Sequence, residues 1–303
     1  MMSGEVKRVT KAVVPAAGLG TRHFPASHAV KKELFPVVGQ DGIARALIHY
    51  HLIELTRAGI EEICIIVQPG DDVPIRNYLA GPDDAYLKRL AKYPALAAEA
   101  REMRELAGRV SFAVQHEQEG YGHAVYQTKE FAGDGMVLLC LGDHLFRGTP
   151  VSPCEELAGM AASSGGRSVS AVNRIGPGEL KGYGTIAGKR QEENARVIDV
   201  SLIIEKPDVT TARERLRVDG LEEDVYLGWF GMHLLAPSIY EVLGRMIRDD
   251  IRDGGEFQLT RAQEIQRQEE GYLALEMAGG TERFDFGVPD DFVRSVQGFR
   301  RGG

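Results

Sequence analysis

From Ala16 the chain reads Ala-Ala-Gly-Leu-Gly-Thr to Thr21, followed by Arg22 and, farther on, by Lys32. Small residues let the backbone turn sharply and come close to a guest. Such a turn aims several backbone N–H groups at one spot, and Arg22 and Lys32 add positive charge, so the matching guest is a polyphosphate. The apolar run Met136 to Leu141 ends in Gly142-Asp143-His144, and a second carboxylate, Asp285, stands in Phe284-Asp285-Phe286-Gly287. Carboxylates at such places either serve as turn residues or share Mg²⁺ with phosphate oxygens. Farther along, Glu205-Lys206-Pro207 closes a strand-like run and, taken alone, is equally well a solvated turn.

Two nucleotide fingerprints fail at the glycine loop: no third glycine follows at the dehydrogenase spacing, and no Gly-Lys-Ser/Thr follows at the P-loop spacing. The whole pattern, Gly18-x-Gly20-Thr21-Arg22-x-x-Pro25 and then Lys32-Glu33-Leu34-x-Pro36, resembles the signature of the sugar-1-phosphate nucleotidylyltransferases. A charged insertion, a strand, Gln115 and then Gly120-Tyr121-Gly122-His123-Ala124-Val125 narrow it, because that order is similar to the bacterial UTP:glucose-1-phosphate uridylyltransferases.

The resemblance implies that Ala16, Ala17, Gly18, Gly20 and Thr21 hold the nucleotide and that Gln115, Gly120 and Gly122 face its base. It also implies a sugar subsite at Gly184 and Glu205, with Lys206 on the sugar 1-phosphate. Asp143 and Asp285 are the implied Mg²⁺ ligands, and Arg22, Lys32, Asp143 and Lys206 the catalytic set. A Gln amide donates and accepts, which suits a pyrimidine edge but does not exclude adenine or guanine. Thymine shares that edge, so the thymidylyl branch stays open, as does another sugar or cyclitol phosphate. Ser27-His28 and Lys31 stand where the family has Thr-Lys and Pro, and Arg261 where an Asp after Leu-Thr is common, which leaves the sugar and the base open.

Elements must bring these residues together. Apolar runs predict strands at Val9 to Val14, Glu62 to Val67, Val110 to Val114, Met136 to Leu141, Val169 to Val172 and Leu273 to Met277. Helical spacing predicts a helix over Ile43 to Ala58, closed by Gly59. The resulting βαβ unit puts the Gly18 loop at the carboxyl end of the first strand, where open sheets bind ligands. Residues 70–108 are charged and Ala-rich and predict a helical insertion interrupted at Pro94. A helix is expected from Gly122, with others near Cys154 to Ser163, Pro237 to Met246 and Asp290 to Phe299. Gly182 to Thr185 with Val197 to Ile204 reads as a hairpin-like pair, Tyr226 to Leu235 as the next strand, and Thr260 as the N-cap of a helix with Glu264 in its first turn.

The fold class is α/β, a doubly wound Rossmann-like mixed sheet; the resemblance adds the nucleotidyltransferase, glycosyltransferase-A-like fold with a small β-rich sugar side. One domain over 1–303 is expected, with a nucleotide-binding part at 9–150 and a sugar-phosphate-binding part at 165–300.

A net charge of −8 argues against broad binding to nucleic acid or anionic membranes while permitting a local basic pocket. No apolar run approaches the ~18 residues of a membrane span. Met-Met-Ser-Gly-Glu at the start lacks a secretory h-region, so a cytoplasmic enzyme is expected. Cys64, Cys140 and Cys154 look like reduced core residues, and the eight histidines form no H-E-x-x-H pattern. The partners expected are a nucleoside triphosphate and a sugar 1-phosphate, in a homo-oligomer, dimer or tetramer. The chemistry expected is in-line attack of the sugar 1-phosphate on the α-phosphorus, which needs positioning and charge neutralisation rather than a Ser-His-Asp set. A silent nucleotide-sugar-binding paralogue is the alternative from another class.

Overall fold

A computed structural model describes residues 8–301; the first residues, on which the reading of the N-terminus rests, lie outside that range. The strands of the first half are β1 (Lys11–Pro15), β2 (Pro36–Val38), β3 (Ala44–Ala46), β4 (Glu62–Val67), β5 (Val110–Val114), β6 (Val137–Cys140) and β7 (His144–Arg147). Those of the second half are β8 (Val169–Ile175), β9 (Thr185–Arg190), β10 (Val197–Ile204), β11 (Tyr226–Leu235), β12 (Leu273–Glu276) and β13 (Glu282–Asp285).

Among the described residues, nine strands join in one sheet, in the order β5-β4-β1-β6-β11-β8-β12-β10-β9. β5, β4, β1 and β6 are parallel, with Val13 opposite Cys64 and Leu139. Strands covered on both faces need no polar alternation, which is why Glu62–Val67 and Val137–Cys140 are continuous apolar runs. Val14, Ile63 and Ile65 enter one apolar core, and Val13, Cys64 and Ile66 another. Beyond β6 the sheet turns mixed: β11 runs antiparallel to β6 and β8, and β9 antiparallel to β10 and β11. The expected mixed α/β sheet with a β-rich second half is what forms.

The insertion consists of helices Asp72–Ala80, Asp84–Leu90 and Pro94–Ala107, with Pro94 in the first turn of the last, where its missing N–H costs nothing. Cys64, Cys140 and Cys154 are free and buried. Two expectations need correction. The helix expected from Ile43 begins only at Leu47, because Ala44–Ala46 pairs with Pro36–Val38 in a short hairpin and spends its backbone groups there. Thr260 does not cap its helix: Leu259–Glu270 starts one residue before Thr260, after Gln258, two residues ahead of where that cap would set it, and Glu264 lies beyond the first turn.

Candidate active site

β1 delivers the glycine loop. No hydrogen bond among the described residues takes the backbone N–H of Ala17, Gly18, Leu19 or Gly20, and Gly18, Leu19, Thr21 and Arg22 are exposed. A run of N–H groups without acceptors beside an exposed arginine has the chemistry of an anion cradle. The loop is held from behind: Ser27 Oγ donates to the Gly20 carbonyl at 2.7 Å, and His23 Nε2 meets the Phe286 carbonyl at 2.9 Å. That second bond ties the loop to the Asp285 segment.

β6 delivers Asp143, whose Oδ2 lies 2.7 Å from Lys32 Nζ and whose Oδ1 lies 2.7 Å from His144 Nδ1. β13 pairs with β7, setting Asp285 opposite His144, and His144 Nε2 lies 3.4 Å from Asp285 Oδ2. His144 thus bridges the two carboxylates. Burial opposes charge on Asp143, but His144 and Lys32 overcome it and hold the carboxyl well below its usual range. Burial also opposes charge on His144, yet Asp143 and Asp285 raise its pKa. Asp285 is lowered against burial by His144 and by the Gly287 N–H, which donates to Oδ1 at 2.6 Å.

The two carboxylates converge. A Cβ placed on Gly287 would stand 2.9 Å from Asp143 Oδ2 and 3.0 Å from Asp285 Oδ1. Two carboxylates meeting beside an anion cradle form the oxygen donor set that a hard divalent cation takes. Behind them His51, made neutral by burial with a pKa of about 4, places Nε2 3.2 Å from the Gly142 carbonyl and steadies the Asp143 turn.

The residues expected to face the base come together at the end of β5. Gln115 is buried, and its Nε2 donates to the Gly120 carbonyl at 3.1 Å. Gly120 has φ +113°, and a Cβ there would sit 2.9 Å from the Phe257 carbonyl, so only glycine fits. Gly122 N donates to that carbonyl at 2.7 Å.

Gly184, Glu205 and Lys206 also meet, because Thr185 pairs with Ile204 and the Lys206 N–H donates to the Tyr183 carbonyl. A side chain on Gly184 would strike the Trp229 indole at 2.5 Å and Glu205 Oε2 at 2.9 Å. Lys206 adopts a left-handed φ of 46° and stays largely exposed, with Nζ 3.5 Å from Glu205 Oε1.

Sequence reasoning missed four contributors. Thr260 donates to Glu205 Oε2 at 2.7 Å, so the segment that packs on the Gly120 loop also orients the Glu205 carboxylate. His144 carried a signal, a histidine directly after a candidate ligand. Trp229 buries an indole N–H with no partner among the described residues. Arg283 lies 4.5 Å over the Tyr183 ring, reaches its hydroxyl, and donates to the Trp229 carbonyl at 3.3 Å. Trp229 and Arg283 carried no signal in their own neighbourhoods.

A family described as nucleotidyl transferase matches residues 11–229. UTP–glucose-1-phosphate uridylyltransferase 1 of Staphylococcus saprophyticus is 28% identical over 290 residues, 95% of this chain and 92% of that protein. The UTP-bound UGPase from Acinetobacter baumannii superposes with a TM-score of 0.76 at 25% identity, covering 95% of this chain and 92% of that one. An apo UDP-glucose pyrophosphorylase has the same fold, with a TM-score of 0.79 at 22% identity over 95% of this chain and 97% of that one.

Proposed function

The chain belongs to the nucleotidyl transferase family, and on that premise we propose that it joins UTP to glucose 1-phosphate, releasing pyrophosphate and forming UDP-glucose. The observation that carries this reading is the meeting of the N–H cradle with the Lys32, Asp143 and Asp285 cluster, tied together through His23 and Phe286.

The reaction forms a bond from a phosphate oxygen of glucose 1-phosphate to the α-phosphorus of UTP and breaks the bond from that phosphorus to the departing pyrophosphate. The nucleophile is already anionic, so no side chain needs to remove a proton. The protein's work is alignment and charge neutralisation. Gly18 and its neighbours donate to phosphate oxygens, and Arg22 and Lys32 offset the charge that gathers on the leaving group. Gln115 and Gly120 read the uracil edge, a discrimination that works because a wrong base leaves buried donors unpaired. Glu205 accepts from sugar hydroxyls and Lys206 holds the 1-phosphate. Asp143 and Asp285 are the residues that would hold Mg²⁺, which supplies charge neutralisation at the phosphates when bound.

The test is pyrophosphate release measured with UTP, dTTP, ATP and GTP against glucose 1-phosphate and other hexose and cyclitol 1-phosphates, with Mg²⁺ saturating. UTP with glucose 1-phosphate should give the highest kcat/KM. A maximum with dTTP, or with another sugar, would replace the substrate assignment within the family. Release with no pair would identify a silent binding paralogue.

A further inference from the structure

We propose that His49, Glu99 and Glu102 form a binding site for one divalent transition ion of the zinc class, separate from the Asp143 and Asp285 pair and independent of the substrate assignment. His49 lies on helix Leu47–Arg57, while Glu99 and Glu102 share a face of helix Pro94–Ala107 at a spacing of three. One ligand atom from each lies within 4.8 Å of the other two.

The imidazole points to a ligand independently of the carboxylates. His49 is 1% exposed, its Nδ1 is held 2.8 Å from the Tyr78 hydroxyl, and its Nε2 has no hydrogen-bond partner among the described residues. The closest carboxylate oxygen on that side, Glu102 Oε2, is 3.7 Å away, beyond hydrogen-bond reach. Leaving such a buried atom unpaired is costly to folding. The Tyr78 oxygen also accepts from the Ala46 N–H at 3.1 Å, which fixes it in place. When Nδ1–H donates to that anchored oxygen, Nε2 turns a lone pair toward two carboxylates, an arrangement that a cation satisfies. One ring nitrogen pinned by an outer partner and the other presented is how proteins orient a metal-binding histidine. Burial keeps this imidazole neutral, with a pKa of about 4, the form that ligates.

Charge points the same way. Two guanidinium groups act on this cluster: Arg45, which is spent on Asp41 at 2.7 Å and on both oxygens of Glu99 at 2.5 Å, and Arg57, whose charge acts on Glu102. The carboxylates Asp41, Glu99 and Glu102 thus outnumber Arg45 and Arg57, and a divalent ion offsets the excess negative charge. One nitrogen and two oxygen donors suit Zn²⁺ or its first-row neighbours better than Mg²⁺, which prefers oxygen alone. At metal–ligand distances of ~2.0–2.2 Å the ligand atoms stand roughly 3.3 Å apart, so the cluster must tighten. Glu102, with 41% of its side chain exposed, is free to swing inward. Glu99 and Glu102, but not the buried His49, line an open cavity of about 650 Å³ that gives the two carboxylates access to solvent. Bound there, the ion clips the helical insertion to helix Leu47–Arg57.

The test uses the full chain, stripped with chelator and free of nucleotide. Zn²⁺ titration by calorimetry should show one tight site, and Co²⁺ should give a d–d absorption band in equal stoichiometry. The parent and D143N should behave alike, whereas H49A and E102Q should bind at least ~10-fold more weakly and lose the band. E102Q alters a half-exposed side chain and so guards against a misfolded H49A. Equal affinity in the parent and E102Q, loss of the site in D143N, or no heat and no band in the parent would each overturn the proposal.

Discussion

Lys32 Nζ lies 2.7 Å from Asp143 Oδ2, so the lysine of the glycine-loop region and the carboxylate at the end of β6 neutralise each other across one small gap. On the proposed function, Asp143 would hold the cation and Lys32 would pair with a phosphate, each giving up the other as partner. The D143N variant loses the charge that makes the exchange work, since a neutral amide cannot offset a divalent ion. Its turnover should fall at least ~10²-fold, the order of removing one preorganised electrostatic group, with the fold retained by circular dichroism. Turnover within a few-fold of the parent at saturating Mg²⁺ would remove Asp143 from the assignment.

K32A and K206A should fail differently. Lys32 sits with the carboxylates and Lys206 beside Glu205 on the sugar side. A charge needed on the departing pyrophosphate acts most in the transition state, so K32A should mainly lower kcat. A charge holding a bound reactant acts largely in the ground state, so K206A should mainly raise KM for the sugar phosphate. Varying each substrate in turn checks this, and an identical pattern in both variants would merge the two subsites.

Thr260→Val removes the hydroxyl that donates to Glu205 Oε2. A hydrogen bond to a charged acceptor is worth about 1.5 kcal/mol, so KM for the sugar phosphate should rise about tenfold while KM for the triphosphate stays within a few-fold. Equal changes in both constants would mean that Thr260 acts on the segment as a whole rather than through Glu205.

Glu33, next to Lys32, predicts a pH effect. Burial pushes its carboxyl up to about 7, and its Oε1 has no hydrogen-bond partner among the described residues. The folded chain therefore keeps a proton that the unfolded chain releases near 4.5. Folding then binds protons between those values, so this group makes stability fall as pH rises from about 4.5 through about 7. E33Q should lack that loss and gain about 2–3 kcal/mol on the parent between pH 5 and pH 8, read by urea denaturation. A constant difference between the two proteins across that range would contradict the assignment.

Local patterns in the sequence determined much of this protein. The cradle was legible because small residues and a charged pair at fixed spacing leave few alternatives, and the parallel strands because strands covered on both faces must be apolar throughout. Asp143 was legible as a carboxylate at a strand end and Asp285 as one before the last helix, but that they converge on Gly287 with His144 between them was not. Pairing of β13 with β7 decides it, and no residue near either aspartate encodes that register. Thr260 shows the same limit: Ser, Thr, Asp and Asn cap helices often enough that a cap was the natural reading. The helix instead begins one residue before Thr260, and the hydroxyl goes to Glu205, brought near by β10. His49, Glu99 and Glu102 come from two helices whose packing, not whose sequence, joins them. Periodicity and turn chemistry act over a few residues and can be read in the chain; which distant side chains meet is settled by burial of the faces between them, and that is a property of the folded whole.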